Sequence, residues 1–438
     1  MVHFSLLSAA AGILTAASVV SATPVPSNPS DQPRAFIVPF VNKHAAARRS
    51  MKYERSQLIK RDLRRVQERN EGAALKKPLG VDTVQVKRTA AAPEPYDINI
   101  LRKARMKKRQ SFATAPLVEN NDSFYGNINI GTPAQTITVD FDMSTGYVIV
   151  PTAECTNCTG PFFDPSLSTS HATTSQPFQA ELMYGEVATA VTSADTVAIG
   201  SLSVSNQALW LITQAEANFA PVPFSGVMGL AFPIIAEDGS TPWFMNLASQ
   251  GLLESNIFSF YLPVTPQGSN GSELCVGCLD GAKFTGQPEY FPLTPGDSTQ
   301  RSWDIAAQGF TLNGNVFTTQ PMTVTIDSNL PGAVLPHSEA SAFYANVPGA
   351  QLAANGWQWT FPCANVGQLQ VGIMFSSSTV FNLNPADLVF NNGSDICTGN
   401  ILSSNSEDGK AKVGSALMST WYSIFDYGNM RIGFAQAV

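Results

Sequence analysis

Ile137-Thr-Val-Asp-Phe-Asp142 and Met322-Thr-Val-Thr-Ile-Asp327 alternate apolar and polar residues, and each stretch ends on an aspartate. Alternation with a period of two is typical of a half-buried β-strand. The two aspartates are 185 positions apart, which is about half of the chain that follows residue 110. This repeated strand-then-aspartate pattern predicts two similar lobes with one aspartate each.

The sequence on both sides of these stretches has the same texture. From Gln110 onward, short runs rich in Val, Ile, Thr and Phe are interrupted every several residues by Gly, Pro, Asn and Ser, as in all-β proteins. The chain has 438 residues, 44% of them hydrophobic, which is ample for a sizeable core and more than one domain. We therefore expect an all-β protein with an N-terminal lobe at residues 110–287, a C-terminal lobe at residues 288–438 and a cleft between them.

Charge divides the chain at the same point. Residues 111–438 hold five basic and 25 acidic side chains, a net charge of −20, whereas residues 1–110 carry +13. Because oppositely charged parts of one chain attract, we interpret residues 23–109 as a basic propeptide that covers the body. Nucleic acid or a membrane surface is the alternative partner for such a basic segment.

The first 22 residues have the features of a signal peptide. An apolar run from Phe4 to Val20 is followed by small residues suited to cleavage at Ala22. A membrane anchor is the alternative, but serines and a threonine dilute the run, and Pro24 and Pro26 follow it. We expect a secreted product without a membrane anchor, either extracellular or vacuolar. The N-x-Ser/Thr glycosylation sites of the body fit that route; they are Asn121, Asn157, Asn270 and Asn392.

Three segments carry a family resemblance that extends over the whole body. The segment from Tyr125 to Pro151, the buried stretch Phe224–Phe232 and the final strand pair Phe425–Phe434 resemble the corresponding segments of pepsin-like aspartic peptidases. The nine-residue distance from Asp142 to Pro151 is the family's, and Asp327 to Pro336 repeats it. The resemblance implies a bilobal pepsin-like fold.

The resemblance also implies a chemistry. In this family two carboxyl groups share one proton around a water, because like charges so close cannot both ionise. Asp142 and Asp327 would be that catalytic dyad, while Asp140 is a weaker rival one pleat earlier in the strand. The resemblance implies a monomeric endopeptidase that is active at acid pH, takes protein or peptide substrates, and needs no metal or organic cofactor.

Both aspartate loops depart from the family pattern. Each Asp is normally followed by Ser or Thr, then Gly, then Ser or Thr, but the loops here read Met143-Ser-Thr145 and Ser328-Asn-Leu330. Thr145 and Ser328 keep one hydroxyl per loop, and the resemblance places them at the substrate. Both glycines are replaced, which risks a clash or a rotated loop.

The hairpin that closes over substrate in the family is altered too, although Tyr184-Gly185 is retained there and is expected to contact substrate. These departures keep a second hypothesis open. The chain could be a secreted peptide-binding or decoy protein that has the cleft but has lost efficient hydrolysis.

Six cysteines, all in the body, suit an oxidising compartment. The resemblance implies a disulfide between Cys363 and Cys397 and a short one between Cys155 and Cys158. The partners of Cys275 and Cys278 stay open, because in an extended strand they would point to opposite faces unless the chain bends at Gly277. Two CxxC pairs can also form a zinc site, although these two are very far apart in sequence.

The body lacks the sequence motifs of other classes of enzyme. The body contains two histidines, His171 and His337, and has neither an H-E-x-x-H nor a G-x-S-x-G motif. It also has no phosphate-binding glycine loop and no basic patch. Zinc hydrolases, serine hydrolases, nucleotide-binding proteins and nucleic-acid-binding proteins are therefore disfavoured.

We predict that the leader is removed after Arg109. The dibasic site Lys107-Lys-Arg109 lies at the switch from basic to acidic sequence, and Lys87-Arg88 is a second candidate. N-terminal sequencing of the secreted protein should give a chain that starts at Gln110. A product that still starts near Thr23 would show that the basic segment is not a removable propeptide.

Overall fold

The computed structural model describes residues 111–438, except residues 121–122, 159, 174–176, 182–186, 216–224, 234–238, 264–270, 298, 376–378, 392 and 405–406. The predicted signal peptide and propeptide lie outside the described residues. The same holds for five of the predicted site residues, which are Asn121, Tyr184, Gly185, Asn270 and Asn392.

Short strands make up most of the described chain. Those up to residue 292 are β1 (Ala113–Pro116), β2 (Val118–Asn120), β3 (Ser123–Ile130), β4 (Gln135–Asp142), β5 (Val148–Thr156), β6 (Ala172–Thr173), β7 (Phe178–Glu181), β8 (Val187–Ile199), β9 (Leu202–Ala215), β10 (Gly226–Gly229), β11 (Ile257–Tyr261), β12 (Glu273–Val276) and β13 (Phe284–Pro292).

Those that follow are β14 (Asp304–Ala307), β15 (Gly309–Leu312), β16 (Asn315–Val316), β17 (Met322–Ile326), β18 (Ala333–Pro336), β19 (Gln351–Leu352), β20 (Trp359–Pro362), β21 (Val371–Met374), β22 (Val380–Asn382), β23 (Val389–Phe390), β24 (Ile396–Gly399), β25 (Ile401–Ser404), β26 (Lys410–Val413), β27 (Trp421–Asp426) and β28 (Arg431–Ala437). Helices are short: α1 (Trp243–Ser249), α2 (His337–Tyr344) and α3 (Ser415–Met418), with 3-10 turns at Pro165–Leu167, Cys363–Gln368 and Pro385–Leu388.

A nine-stranded sheet positions the first aspartate. Its order is β2-β3-β4-β10-β5-β9-β8-β6, with β7 also paired to β8. Strand β10 lies between β4 and β5, parallel to the first and antiparallel to the second, and β9 runs parallel to β5. Because β4 is paired on both sides, its last residue, Asp142, lies at a buried point of the sheet.

The second aspartate has the same arrangement around it. In the five-stranded sheet β14-β17-β26-β18-β25, strand β26 lies between β17 and β18, again parallel to the first and antiparallel to the second. Strand β25 runs parallel to β18, as β9 does to β5. The prediction of an all-β fold with a repeated strand-then-aspartate unit is confirmed.

A six-stranded sheet joins the two halves of the sequence. Its order is β1-β12-β11-β27-β28-β13, so the last two strands of the chain pair with strands that precede residue 293. The boundary expected after residue 287 falls inside β13. The remaining two sheets, β16-β15-β21-β22 and β19-β20-β24-β23, are formed by the C-terminal half.

Aromatic packing connects the sheets at Trp303, which is fully buried. Its ring lies 4.7 Å from Phe232, 5.4 Å from Phe258 and 5.1 Å from Phe425, measured between centroids. Its indole N–H donates to the carbonyl of Leu230 at 3.0 Å. Trp303 therefore fixes the segment after β10 against the C-terminal half through both apolar area and a satisfied polar group.

All six cysteines are paired. The disulfides are Cys155–Cys158, Cys275–Cys278 and Cys363–Cys397. Cys275 and Cys278 can meet because Gly277 has a φ of +79°, a left-handed conformation that glycine adopts without strain. Since no thiolate is left over, the two CxxC pairs do not form a zinc site.

Asn157 is exposed, but its side-chain amide donates to the carbonyl of Ala215 at 3.2 Å. Glycosylation of this nitrogen stays a prediction. Within the described ranges, no helix combines the length and the apolar character that crossing a bilayer requires.

Loss of the Cys363–Cys397 disulfide should destabilise the protein more than loss of Cys155–Cys158. The sequence separations are 34 and 3. Loop-closure entropy then gives costs of about 3 to 4 and about 1.5 kcal/mol. Urea unfolding of the two double Cys→Ser variants beside the wild type measures the difference. Equal losses would show that loop constraint is not what these bonds contribute.

Candidate active site

Asp142 ends β4, Asp327 directly follows the equivalent strand β17, and the two residues lie near each other in the folded chain. Asp142 is fully buried, and the side chain of Asp327 is 10% exposed. The backbone N–H of Asp327 donates to the carbonyl of Val413 at 2.9 Å, and the carbonyl of Asp142 accepts from Leu230 N–H at 2.7 Å. Each aspartate is thus tied to the inserted strand of its own half, β26 or β10.

A glycine at the end of each inserted strand lets the aspartate loop approach closely. A Cβ on Gly229 would collide with the backbone of Thr145, and a Cβ on Gly414 would collide with the carbonyl of Leu330. The amide of Gly229 donates to the carbonyl of Tyr147, and that of Gly414 donates to the carbonyl of Gly332. Only glycine fits at these two positions, so the equivalent backbone contacts depend on it.

Backbone donors reach both carboxyl groups. The N–H of Ser144 donates to Asp142 Oδ1 at 2.8 Å, and the N–H of Asn329 donates to Asp327 Oδ1 at 3.2 Å. Ser144 and Asn329 occupy the positions where the family has glycine. Neither residue has a positive φ. Among the described residues other than glycine, those with a positive φ are Asn157, Asn206, Asn313 and Met430.

Neither replacement is therefore held in the left-handed conformation that glycine alone adopts without strain. Backbone N–H groups donate equally well from any residue other than proline, and a negative φ carries no strain for a side chain. The side chain of Ser144 adds a donor, because its Oγ lies 2.7 Å from Asp142 Oδ1.

Ser328 links the two loops. It is buried, and its hydroxyl donates to the carbonyl of Phe141, the residue before Asp142, at 3.0 Å. Met143, the equivalent residue of the first loop, is buried in the apolar core, and its thioether cannot donate. Leu330 packs instead in a small apolar cluster with Val334, Trp357 and Leu402. One of two equivalent cross-loop bonds is thus present. This linking role was not part of the prediction that Ser328 contacts substrate.

The charges of the site are unequal. Burial raises the pKa of Asp142 above its ordinary value of 3.8, and the negative charge of Asp327 raises it further. Hydrogen bonds from Thr145 and Ser144 act in the opposite direction. On the other side, Lys412 Nζ lies 3.8 Å from Asp327 Oδ2. Asp142 is therefore the carboxyl group better suited to hold a proton.

Sequence reasoning missed two members of this site. The sequence predicts Ser144 only as the replacement of a glycine, and it predicts no role in the site for Lys412. The available signal for Lys412 was its place in the alternating segment Lys410-Ala-Lys-Val413, just before Gly414.

Asp140, the weaker rival, is fully buried in β4 opposite Tyr125 and Val227. Among the described residues, no group of three or more His, Cys, Asp or Glu could hold a metal ion.

The raised pKa of Asp142 predicts a pH-dependent stability. A carboxyl group whose pKa is raised on folding favours the folded state while it is protonated, and this contribution is lost as pH rises from 3.8 through the raised value. The melting temperature of the wild type should therefore fall across that window. Asp142→Asn, which cannot ionise, should flatten the fall, while Asp395→Asn at an exposed position should not. Calorimetric scans at successive pH values measure this, and parallel curves for all three proteins would contradict it.

Comparison with known proteins identifies the family. Residues 123–437 match the family model of the eukaryotic aspartyl proteases. The chain is 29% identical to gastricsin of Callithrix jacchus over 337 residues, covering 75% of this chain and 84% of the relative. It is 29% identical to pepsin-2B of Gadus morhua over 327 residues, covering 73% and 97%. It is also 29% identical to an aspartic protease of Phaffia rhodozyma over 343 residues, covering 76% and 80%. With a match over most of its length and two strand-borne aspartates in equivalent loops, the chain belongs to the eukaryotic aspartyl protease family.

Proposed function

We propose that the protein is a secreted aspartic endopeptidase that hydrolyses peptide bonds at acid pH with Asp142 and Asp327. One observation carries the proposal. Two buried carboxyl groups lie at the ends of equivalent strands, and burial together with the charge of Asp327 raises the pKa of Asp142. Such a pair retains one proton over a range of acid pH, which is the state that acid–base catalysis by two carboxyl groups requires.

The proposed reaction uses a water held between the two groups. Asp327 accepts a proton from the water as the water oxygen bonds to the peptide carbonyl carbon, and Asp142 donates its proton to the carbonyl oxygen. The tetrahedral intermediate then breaks its C–N bond. The nitrogen takes a proton from Asp327, and a hydroxyl of the intermediate returns one to Asp142. The products are a carboxylic acid and an amine, and the dyad regains its initial state.

We expect this enzyme to be slower than a family member with intact loops. Met143 and Leu330 stand where the family has hydroxyls, and both side chains are buried among apolar neighbours. The missing hydroxyl donors affect mainly Asp327, because Asp142 already accepts hydrogen bonds from Ser144 and Thr145. A lost hydrogen bond to a charged group is worth roughly 1.5 to 3 kcal/mol. About 3 kcal/mol in total corresponds to a rate on the order of a hundredfold lower.

We also propose how the protein is processed, what it acts on and where it is found. The acidic body, with its net charge of −20, suits a basic propeptide as an intramolecular cover until removal. We propose protein or peptide substrates, a monomeric mature form and an extracellular or vacuolar destination, without metal or organic cofactor. Tyr184 and Gly185 are proposed to contact substrate, with Thr145 beside the dyad.

The test is hydrolysis of a denatured protein by the purified mature form between pH 3 and 7. Wild type should cleave only in the acid range, and Asp142→Asn and Asp327→Asn should each lower kcat by at least about a hundredfold, since each removes a proton-transfer group. Asp395→Asn, an exposed aspartate far along the chain, is the matched control and should retain the wild-type rate.

Two results would overturn the proposal. If both dyad variants cleave as fast as wild type, the cleavage is not aspartic catalysis. If wild type cleaves nothing but binds a transition-state-mimic inhibitor at acid pH, the alternative of a secreted peptide-binding or decoy protein takes its place.

A further inference from the structure

A lysine lies beside the dyad on one side only. Lys412 Nζ is 3.8 Å from Asp327 Oδ2, and the lysine side chain is 54% exposed. The opposite carboxyl group, Asp142, accepts from the backbone and hydroxyl of Ser144 and is fully buried. The two carboxyl groups therefore differ in their surroundings, because a cation lies beside Asp327 while Asp142 is enclosed by hydrogen-bond donors.

The sheet fixes the position of this lysine. Strand β26 alternates exposed Lys410 and Lys412 with buried Ala411 and Val413. Lys412 is paired with Thr325 of β17 on one side and with Val334 of β18 on the other. Since β17 leads directly into Asp327, the pairing sets the lysine two residues away from the aspartate on the neighbouring strand.

Other charges near the strand do not replace Asp327 as the partner of Lys412. Val334 is apolar, and the hydroxyl of Thr325 donates to Asp304 at 2.6 Å. Glu407 accepts from Ser338, and Asp408 accepts from the backbone of Lys410. The charged or titratable groups on β17, β18 and β26, or within three residues of their ends, are Asp327, His337, Glu339, Glu407, Asp408, Lys410 and Lys412 itself, and Asp304 lies on β14 beside β17.

Cations are scarce in the body, which has five against 25 acidic side chains. Arg431 is committed to Asp426 at 2.7 Å and lies over the ring of Tyr290. Lys283 lies over the ring of Tyr261 and donates to the carbonyl of Gly271. A cation beside the dyad is therefore unusual on this acidic surface. We expect it to affect the charge of the site.

We propose that Lys412 is a positioning residue that places the single negative charge of the dyad on Asp327 and leaves the shared proton on Asp142. The inference rests on the proposed function, because it assigns the base role to Asp327 and the acid role to Asp142. We propose that Lys412 also sets the pH range in which the enzyme is active. With Lys412 present, the singly protonated dyad forms at a lower pH, so the acid limb of the pH profile lies lower than it would without the lysine.

The first test compares pH profiles of kcat/KM for wild type, Lys412→Met and Lys410→Met. Lys412→Met should move the midpoint of the acid limb upward by about half a pH unit, the size expected for one half-exposed ion pair. The shift should shrink at high ionic strength because the pair is screened. Lys410→Met, on the same face of the same strand, should leave the midpoint in place, and Lys412→Arg should restore the wild-type value.

An unchanged midpoint in Lys412→Met would overturn the proposal. A change in KM alone would do so too, because it would show that the lysine contacts substrate rather than biasing the dyad. A merely structural role would alter the melting temperature without moving the midpoint.

The second test does not depend on hydrolysis. Carboxyl signals of the mature protein labelled with 13C in aspartate are followed against pH, and the dyad signals are assigned by their loss in Asp142→Asn and Asp327→Asn. Lys412→Met should raise the pH of the first dyad transition by about half a unit. If wild type is inactive but this shift is found, the charge placement holds and the proposed function fails. If wild type is active and the shift is missing, the charge placement fails alone.

Discussion

The confinement of two carboxyl groups in one buried place is the constraint on which the rest of this structure depends. Two adjacent negative charges removed from water are unfavourable, so the chain must either protonate one or surround them with donors. It does both. Burial and mutual repulsion raise the pKa of Asp142, while Ser144, Thr145 and the amide of Asn329 donate hydrogen bonds to the pair.

The backbone has the same arrangement around Asp142 and around Asp327, and this arrangement holds both carboxyl groups in place. Asp142 ends β4 and Asp327 directly follows β17, and each of these strands pairs in parallel with an inserted strand. The glycine at the end of each inserted strand can meet the aspartate loop because it has no Cβ. The hydroxyl of Ser328 crosses from one loop to the carbonyl of Phe141 in the other. Trp303 adds a second link through its hydrogen bond to the carbonyl of Leu230. The two halves are therefore held at the dyad by polar contacts and behind it by aromatic packing.

Side chains, in contrast, make the two loops unequal. Met143 and Leu330 supply apolar contacts where hydroxyls would orient carboxyl groups, and Lys412 adds a charge next to Asp327. A symmetric backbone with asymmetric side chains separates two tasks. The fold places the carboxyl groups, and the side chains around them give each carboxyl group a different set of charges and hydrogen-bond donors.

The sequence by itself determined the β-strands, the two aspartates and the compositional boundary near residue 110. These follow from local patterns, namely alternation with period two, punctuation by turn residues and clustered charge. The family resemblance added the likeness between the two loops. Tertiary structure alone decided what depends on distant neighbours. Gly277 adopts a left-handed φ that brings Cys275 to Cys278, and Ser144 and Asn329 keep backbone donors on the aspartates without needing glycine. Lys412 reaches Asp327 only because β26 inserts beside β17, and a pairing between strands so far apart in sequence leaves no mark in the local pattern of either.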